Sequence, residues 1–504
     1  MEALTQIVHL LDGFKLSKID IIDSQDSNSR FTEFYRMIKS GEIKNEEEAA
    51  KHFYPKEEKR DQNYRKFKSQ FKERLIDTVF FLDTHNKKVS EYQNSFTQAQ
   101  KTWAATCILY NRSAFAAATE TSERLLKDCI YYEFTELVVQ ITDKLKNIYG
   151  TVIGDKGKFN YYRDMHHKYL EYYIAELKAK DLMQCIRFHY VKSAAYNKEK
   201  YAEAEKAIEI ITPLRATCET YMFMSFWYYI HVAKYQTIFD NRNIVKTCEE
   251  GIAHFKQKQY AATAPIAVLM NQLLIGQIQL RQYAAGRVTA AEVLQLQTEG
   301  THNWYKTLEQ HVMLAFHTKE YGEAYRVYQI AKSHRDFKFL KGANLEIWRL
   351  YEAYLVFVIK IGKIPNLTLP QSGFKTFKVN KFINDVSQFS NDKKGMNIPS
   401  LIIQYVLQLT EKNRDQLVER MEAIEQYVKR HVNSDEAVYR SHCFLKLLLE
   451  LTKVNYSRKL ILPKAQPIIA EIENTPIDLM EQGDRIEIMP FEYLWEDMLP
   501  LLQA

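Results

Sequence analysis

Apolar residues recur along most of this chain at the three- and four-residue spacing that predicts amphipathic helices. Between Tyr190 and Gly362 the predicted helices come in pairs, and the shorter member of a pair opens with a small-residue signature. The signature is Tyr201-Ala202-Glu203-Ala204 and, 120 residues later, Tyr321-Gly322-Glu323-Ala324, with weaker echoes near Ile244 and Tyr283. The period is therefore about 40 residues, which indicates helical hairpins that bury their apolar faces by stacking on one another.

The composition supports a helical fold. Hydrophobic residues make up 46% of the 504 positions and charged residues 26%, which is ordinary for a folded chain, but only 15 Gly and 11 Pro are present for the tight turns that sheets need. The sequence thus predicts an all-α fold, an α-solenoid of stacked helical hairpins with a small helical N-terminal region.

Breaks in the pattern predict three regions. Residues 1–83 form a helical N-terminal region, and residues 84–364 form the helical repeats. Residues 365–504 form a C-terminal helical region, which opens with a connector that contains Pro365, Pro370 and Gly373. The C-terminal tail is amphipathic: one face is acidic, and the apolar face includes the aromatic residues Phe491 and Trp495. Such a segment suits a cap over the last hairpin, and the alternative is a detachable docking helix.

The N-terminal region contains a candidate nucleic-acid contact. Two short predicted helices, Arg30–Lys39 and Asn45–Tyr54, precede a longer basic one, Asn63–Leu82, in the order of a helix-turn-helix. The cations that would face phosphate are Arg65, Lys66, Lys68 and Lys72. In the alternative interpretation, an apolar stripe through Tyr64, Phe67, Phe71 and Leu75 packs into a core and the basic face is only solvated.

The signature of the shorter helices resembles that of tetratricopeptide repeats, in Tyr201, Ala204 and Ala207 and again in Tyr321, Ala324 and Ala331. It departs from that family in its period, about 40 residues against about 34, and in lacking the Trp-Leu-Gly-Tyr pattern of the first helix. The resemblance implies a superhelix whose concave face, lined by the first helices, binds a peptide or a partner helix, and it implies no catalytic residues.

On that face the candidate groove residues are aromatic, basic or amide side chains: Trp227, Tyr228, His231, Lys234, Asn271 and Gln272. The alternative is that they belong to the core between stacked helices, because the segment from Tyr221 to Tyr235 is apolar nearly all round. The segment from Phe382 to Leu448 also resembles an uncharacterised family of bacterial tetratricopeptide-like proteins, which brings no known activity.

The pattern favours no enzyme, cofactor or metal. It contains no nucleophile elbow, no phosphate-binding loop and no zinc-spaced cysteine pair among its six cysteines, which we expect to be small buried residues in a reducing cytoplasm. Adjacent residues on a helix point about 100° apart, so His166 and His167 are poor partners for one ion. No apolar run reaches the roughly 20 residues that cross a bilayer.

The sequence therefore predicts a cytoplasmic, non-enzymatic helical-repeat scaffold that binds a protein or peptide partner through its concave face. The alternative is a nucleic-acid-binding regulator, in which residues 1–83 contact DNA or RNA and the repeats act as a sensor. A third possibility follows from opposite charges at the two ends, since residues 51–74 hold nine Lys or Arg and residues 470–504 hold nine acidic residues. These ends would pair between copies, and the sequence leaves the oligomeric state open.

Overall fold

The computed structural model describes residues 4, 30–43, 45–55, 60–80, 90–192, 198–374, 377–379, 382, 397–411, 417, 421–422, 424–425, 439–475, 477 and 487–503. Its internal contacts divide the chain into two compact units, Met1–Leu170 and Glu171–Ala504, and each is described by itself. The sequence-based boundaries at residues 83 and 364 stay predictions. So do the helices predicted over 2–14, 380–389 and 414–432, which lie largely outside the described residues.

The first unit begins with three helices around an aromatic core: α1 (Arg30–Ser40), α2 (Glu46–Phe53) and α3 (Arg60–Val79). Gly41 takes a left-handed φ of 75° just after α1, and the Asn45 side chain accepts a hydrogen bond from the Glu48 amide at 2.9 Å at the start of α2. Phe34 lies at the centre, with its ring centroid 5.2 Å from that of Phe53 and 4.8 Å from that of Phe71. Because each aromatic side chain buries a large apolar area, three such short helices can form a core of their own.

The same unit continues with α4 (Glu91–Asn111), α5 (Phe115–Tyr131), α6 (Thr135–Ile148) and the start of α7 (Lys156–Lys192). The stretch after α6 contains Gly150 and Gly154, and the structure has a π-helical turn there, Tyr149–Ile153. The hydroxyl groups of Tyr149 and Tyr162 donate to Glu123 at 2.7 and 2.9 Å. These two bonds tie the turn and α7 back to α5.

The second unit holds the end of α7 and then a run of helices that pack against their sequence neighbours. They are α8 (Lys198–Arg215), α9 (Tyr221–Thr237), α10 (Asn241–Lys256), α11 (Thr263–Gln279), α12 (Tyr283–Leu296), α13 (His302–His317), α14 (Tyr321–Ser333), α15 (Ala343–Lys360) and α16 (Asn397–Glu411). The first helices of successive hairpins, α9, α11, α13 and α15, start 42, 39 and 41 residues apart. In the described part of the chain no strand is present, and the predicted all-α solenoid with a period near 40 is confirmed.

The hairpins share one turn geometry. In four hairpins of the described ranges, the residue two positions before the second helix has a positive φ, namely Ser113, Phe239, Arg281 and Lys319. The next amide then donates to a carbonyl five residues back, as from Asp240 to Tyr235 at 3.0 Å. This is the hydrogen bond that commonly closes a helix C-terminus, where glycine is preferred because a Cβ strains the left-handed conformation.

We therefore expect Ser113→Gly to raise the free energy of unfolding by about 0.5–1 kcal/mol, since the exposed serine has φ 62° and glycine relieves that strain. Thermal denaturation followed by circular dichroism measures the change. The matched control is Glu120→Gly, which places glycine in the interior of α5 and should cost about 1 kcal/mol. A decrease in stability for Ser113→Gly would contradict the assignment of the turn.

The C-terminal part contributes α17 (Tyr439–Lys453), α18 (Arg458–Asn474) and α19 (Phe491–Met498). The sequence pattern missed most of α18, because Pro463 and Pro467 lie inside it and proline normally interrupts a helix. The apolar side chains of α19, namely Phe491, Leu494, Trp495 and Met498, are buried in the core of the second unit. The Phe491 ring stacks on that of Phe444 at 4.6 Å.

The acidic side chains of α19 bind cations that come from the hairpin turns. Glu492 pairs with Arg281 of the α11–α12 turn, and Glu496 pairs with Lys319 of the α13–α14 turn at 2.5 Å. Asp497 pairs with Lys363, just after α15, at 2.6 Å and accepts a hydrogen bond from the Tyr321 hydroxyl at 2.9 Å. One short helix thus contacts the chain just after each of three successive first helices, α11, α13 and α15.

Among the described residues no helix is long and apolar enough to cross a membrane. Four of the six cysteines are buried, as expected, but Cys107 is half-buried and Cys185 is exposed.

Candidate functional site

The first helices α9, α11 and α13 lie side by side, because α11 contacts α9 on one side and α13 on the other. The predicted groove residues all belong to the first two of these helices: Trp227, Tyr228, His231 and Lys234 to α9, and Asn271 and Gln272 to α11. The structure therefore brings the two halves of the predicted set to neighbouring helices.

The two aromatic residues of the set are buried. Trp227 is 9% exposed and Tyr228 7% exposed. The Tyr228 ring packs on Gly251 of α10, where an added Cβ would lie 3.0 Å from the ring, so the small residue permits this close approach. In this structure both rings fill space between helices, which is the alternative that the sequence left open, and a partner would reach them only after a rearrangement.

His231 and Lys234 are half-buried and already engaged. The His231 ring lies 4.4 Å from the Trp227 ring, with Nδ1 2.8 Å from the Trp227 carbonyl. Burial lowers the pKa of His231, so the ring is neutral at physiological pH. Lys234 Nζ lies 3.2 Å from Glu205 of α8, and although burial acts to lower the pKa of this lysine, the hydrogen bond to Glu205 leaves it raised. Lys234 keeps its positive charge beside the groove.

Amide and hydroxyl side chains form a row of polar contacts across the first helices α9, α11 and α13. The Gln236 side chain of α9 donates to Gln272 of α11 at 2.6 Å. The fully buried Thr307 hydroxyl of α13 lies 3.1 Å from the Asn271 side-chain oxygen of α11, and the Gln297 side-chain oxygen and the Asn303 carbonyl, at 3.0 and 3.1 Å, compete for its one hydrogen. Each pair is separated by 36 residues. We call these four residues, Gln236, Asn271, Gln272 and Thr307, the polar row.

Sequence reasoning found only half of the polar row. Gln236 and Thr307 were missed because each is unremarkable within its own helix and gains meaning only when successive first helices are aligned. The 36-residue separation of Gln236 from Gln272 and of Asn271 from Thr307 differs from the 42- and 39-residue spacing of the first helices. Alignment of the helix starts therefore does not bring these residues together.

A charged pair borders the polar row on α13. Lys306 Nζ lies 2.7 Å from Glu309, whose side chain is almost fully buried. Burial raises the pKa of Glu309, although Lys306 opposes that shift. The half-exposed Lys306 is therefore a second cation beside the row, on the helix opposite Lys234.

The polar row suits hydrogen bonding rather than catalysis. A primary amide has two donor hydrogens and an acceptor oxygen with two lone pairs, and the hydrogen bond between Gln236 and Gln272 uses one group of each. The remaining donors and acceptors match the alternating N–H and C=O groups of an extended peptide. Two half-buried amides on neighbouring helices thus keep donors and acceptors that their mutual hydrogen bond does not use.

The predicted nucleic-acid residues lie on α3, and the structure separates them. Tyr64, Phe67, Phe71 and Leu75 are buried in the aromatic core, while Arg65, Lys66 and Lys72 are exposed. Lys68 instead pairs with Glu46 of α2 at 2.5 Å. The apolar stripe is confirmed, and contact of the three exposed cations with nucleic acid stays a prediction.

The histidine pair of α7 is separated as well. His166 Nδ1 lies 3.1 Å from the Val139 carbonyl, whereas the adjacent His167 is exposed. No group of three or more His, Cys, Asp or Glu side chains in the described ranges is arranged to hold a metal ion.

Comparison with family models, with curated proteins and with solved structures gave no match.

Proposed function

We propose that this chain is a non-enzymatic scaffold that binds an extended segment of a partner protein along the polar row. The observation that carries the proposal is the hydrogen bond between the half-buried Gln236 and Gln272, which joins α9 and α11 and is continued toward α13 by the contact of Asn271 with the buried Thr307. Lys234 and Lys306 flank the row and add affinity for acidic side chains. As part of the proposal, the chain acts in the cytoplasm and belongs to the tetratricopeptide-like proteins, of the bacterial kind that the segment from Phe382 to Leu448 resembles.

The groove residues predicted from the sequence take different parts in this proposal. Asn271 and Gln272 contact the ligand directly, and Lys234 supplies charge. Trp227, Tyr228 and His231 support the helix that presents Lys234, because they pack or hydrogen-bond within the unit. The two flanking lysines would then select among peptides, mainly by favouring those with acidic side chains.

The test is a selection of random peptides displayed on phage against the purified full chain, followed by affinity measurements on the enriched peptides. We expect the double change Gln236→Leu and Gln272→Leu to weaken binding about 10- to 30-fold, since two main-chain hydrogen bonds of about 1 kcal/mol each are lost. Leucine keeps the approximate size of the side chain, so the helices stay packed.

The matched control is Gln295→Leu, the same change at an exposed position of the second helix α12, which should leave affinity within about twofold. The proposal is wrong if repeated selections enrich no peptide, or if the enriched peptides bind the double variant as tightly as the unchanged chain. Circular dichroism of both variants checks that the helical content is preserved.

A further inference from the structure

The loop between α14 and α15, residues 334–342, exposes a phenylalanine. Phe339 ends a short 3₁₀ helix, Phe337–Phe339, and it is 65% exposed, more than any other large hydrophobic residue that the structure describes. The ammonium group of Lys338 lies 5.0 Å from the centroid of its ring. An apolar ring held in water is unfavourable, and burial against a partner surface would recover that free energy.

The loop is held in place by its other rings. The Phe337 ring centroid lies 6.0 Å from that of Trp348 in α15 and 6.3 Å from that of Tyr305 in α13. His334 Nδ1 lies 3.2 Å from the Tyr305 hydroxyl, and the loop before α13 packs against the same histidine at Gly300, where any Cβ would clash with the ring. The loop is thus anchored without Phe339, which it presents to the outside from a packed base.

The charges of the loop are mostly positive. Arg335, Lys338 and Lys341 are exposed, and Asp336 is the one acidic residue of the loop. The Asp336 carboxylate faces its own neighbours, with His334 Nδ1 at 3.9 Å and Arg335 Nε at 3.8 Å. A surface that covers this loop would therefore offer negative charge beside an apolar layer.

The residues around the loop favour a lipid surface over a nucleic acid. Ile330, in the last turn of α14, and Leu296, at the end of α12, are 38% and 41% exposed. Aliphatic side chains of this kind enter the boundary between lipid headgroups and acyl chains. A single strand of nucleic acid instead stacks its bases on several rings in series, and of the two phenylalanine rings in this loop only Phe339 is exposed.

We propose that the 334–342 loop is a docking site for a membrane surface that contains anionic lipids. Phe339 inserts at the level of the headgroups, and Arg335, Lys338 and Lys341 contact the lipid phosphates and carboxylates. This contact is peripheral and needs no membrane-spanning helix. It lies apart from the polar row on α9, α11 and α13 and does not depend on peptide binding there, so the chain would hold its peptide partner at a membrane.

The test is a cosedimentation titration of the purified full chain with vesicles of phosphatidylcholine, either alone or with about 30% phosphatidylserine. We expect binding to be at least about 10-fold tighter with phosphatidylserine, because each cation near an anionic surface adds affinity. Phe339→Ser should weaken that binding at least about 5-fold, since the inserted ring is lost. The matched control is Phe80→Ser, at a 55% exposed phenylalanine of the first unit, which should leave binding unchanged.

Reversing the charge of the loop separates a local contact from a general effect of net charge. Lys338→Glu with Lys341→Glu should weaken binding to the phosphatidylserine vesicles at least about 10-fold. Lys178→Glu with Lys180→Glu, at two exposed lysines of α7, makes the same change in net charge and should weaken binding less than about threefold. Circular dichroism checks that each variant keeps its helical content.

Three outcomes would overturn the proposal. The first is that vesicles with and without phosphatidylserine bind equally well or not at all. The second is that Phe339→Ser or the lysine pair of the loop binds like the unchanged chain. The third is that the chain binds a fluorescein-labelled oligothymidine and Phe339→Ser weakens that binding more than lipid binding, since the loop would then be a nucleic-acid site.

Discussion

Replacing Arg440 by alanine should lower the free energy of unfolding of the second unit by about 3–5 kcal/mol. The guanidinium of Arg440 is 8% exposed and binds two buried carboxylates, Glu487 in a bidentate manner at 2.7 and 2.9 Å and Glu492 at 2.8 Å. It also donates to the carbonyl of Thr475 at 2.8 Å. Without it, Glu487 loses its cation partner in the core, and a buried charge without a partner is costly.

Urea denaturation followed by tryptophan fluorescence measures this loss, because Trp227, Trp304, Trp348 and Trp495 lie in the second unit and only Trp103 lies in the first. The control is Lys453→Ala, which removes an exposed ion pair with Glu450 and should cost less than about 1 kcal/mol. Adding Glu487→Gln to Arg440→Ala should recover part of the loss by removing the unpaired charge. A loss below about 1 kcal/mol for Arg440→Ala would show that the network contributes little.

The second large effect is a loss of stability in acid through His317. This ring is fully buried, its Nε2 lies 2.7 Å from the Glu487 carbonyl, and burial lowers its pKa to about 4, with the charges of Arg281 and Arg440 acting in the same direction and Glu492 opposing them. In the unfolded chain the pKa is about 6.5. Between these values the unfolded state binds the proton and the folded state does not, so stability is complete above pH 6.5 and falls as the pH is lowered toward 4.

The expected slope approaches about 1.4 kcal/mol per pH unit, for a total near 3 kcal/mol. His317→Gln retains a donor for the Glu487 carbonyl but does not titrate, so the variant should lose this part of the pH dependence. Some slope will remain, because burial also lowers the pKa of His231 and His311. Urea titrations at pH 7, 6, 5 and 4.5 compare the two chains, with His167→Gln at an exposed position as the control. Parallel profiles for the unchanged chain and His317→Gln would refute this role.

The helices could be predicted from the sequence because the residues that determine each helix lie close together in the chain. The spacing of apolar residues and the packing of small ones set α8 to α15, and Ala204, Ala324 and Ala331 are fully buried where the repeat signature placed them. The aromatic face of α3 followed from the same periodicity. In each case the residues that determine the feature lie within one or two helical turns of each other.

The rest depended on contacts between distant positions. Arg281 and Glu492 are 211 residues apart, and one sequence contains no sign that they pair. Burial of Trp227 and Tyr228 was equally hidden, because α9 is apolar nearly all round and its exposed side is decided by its neighbours. Half of the polar row was missed for the same reason, since Thr307 acquires its role only beside Asn271.

The contacts of α19 change how the repeats respond to stress. A stack of hairpins joined only to its neighbours can unfold one repeat at a time from either end. Here Glu492, Glu496 and Asp497 join the turns after α11, α13 and α15 to one helix that is buried in the core of the second unit, so the three hairpins are coupled through α19. The three hairpins that contact α19 should therefore exchange their amide hydrogens as a single cooperative block. The α9–α10 hairpin lacks such a contact among the described residues, and it should open first.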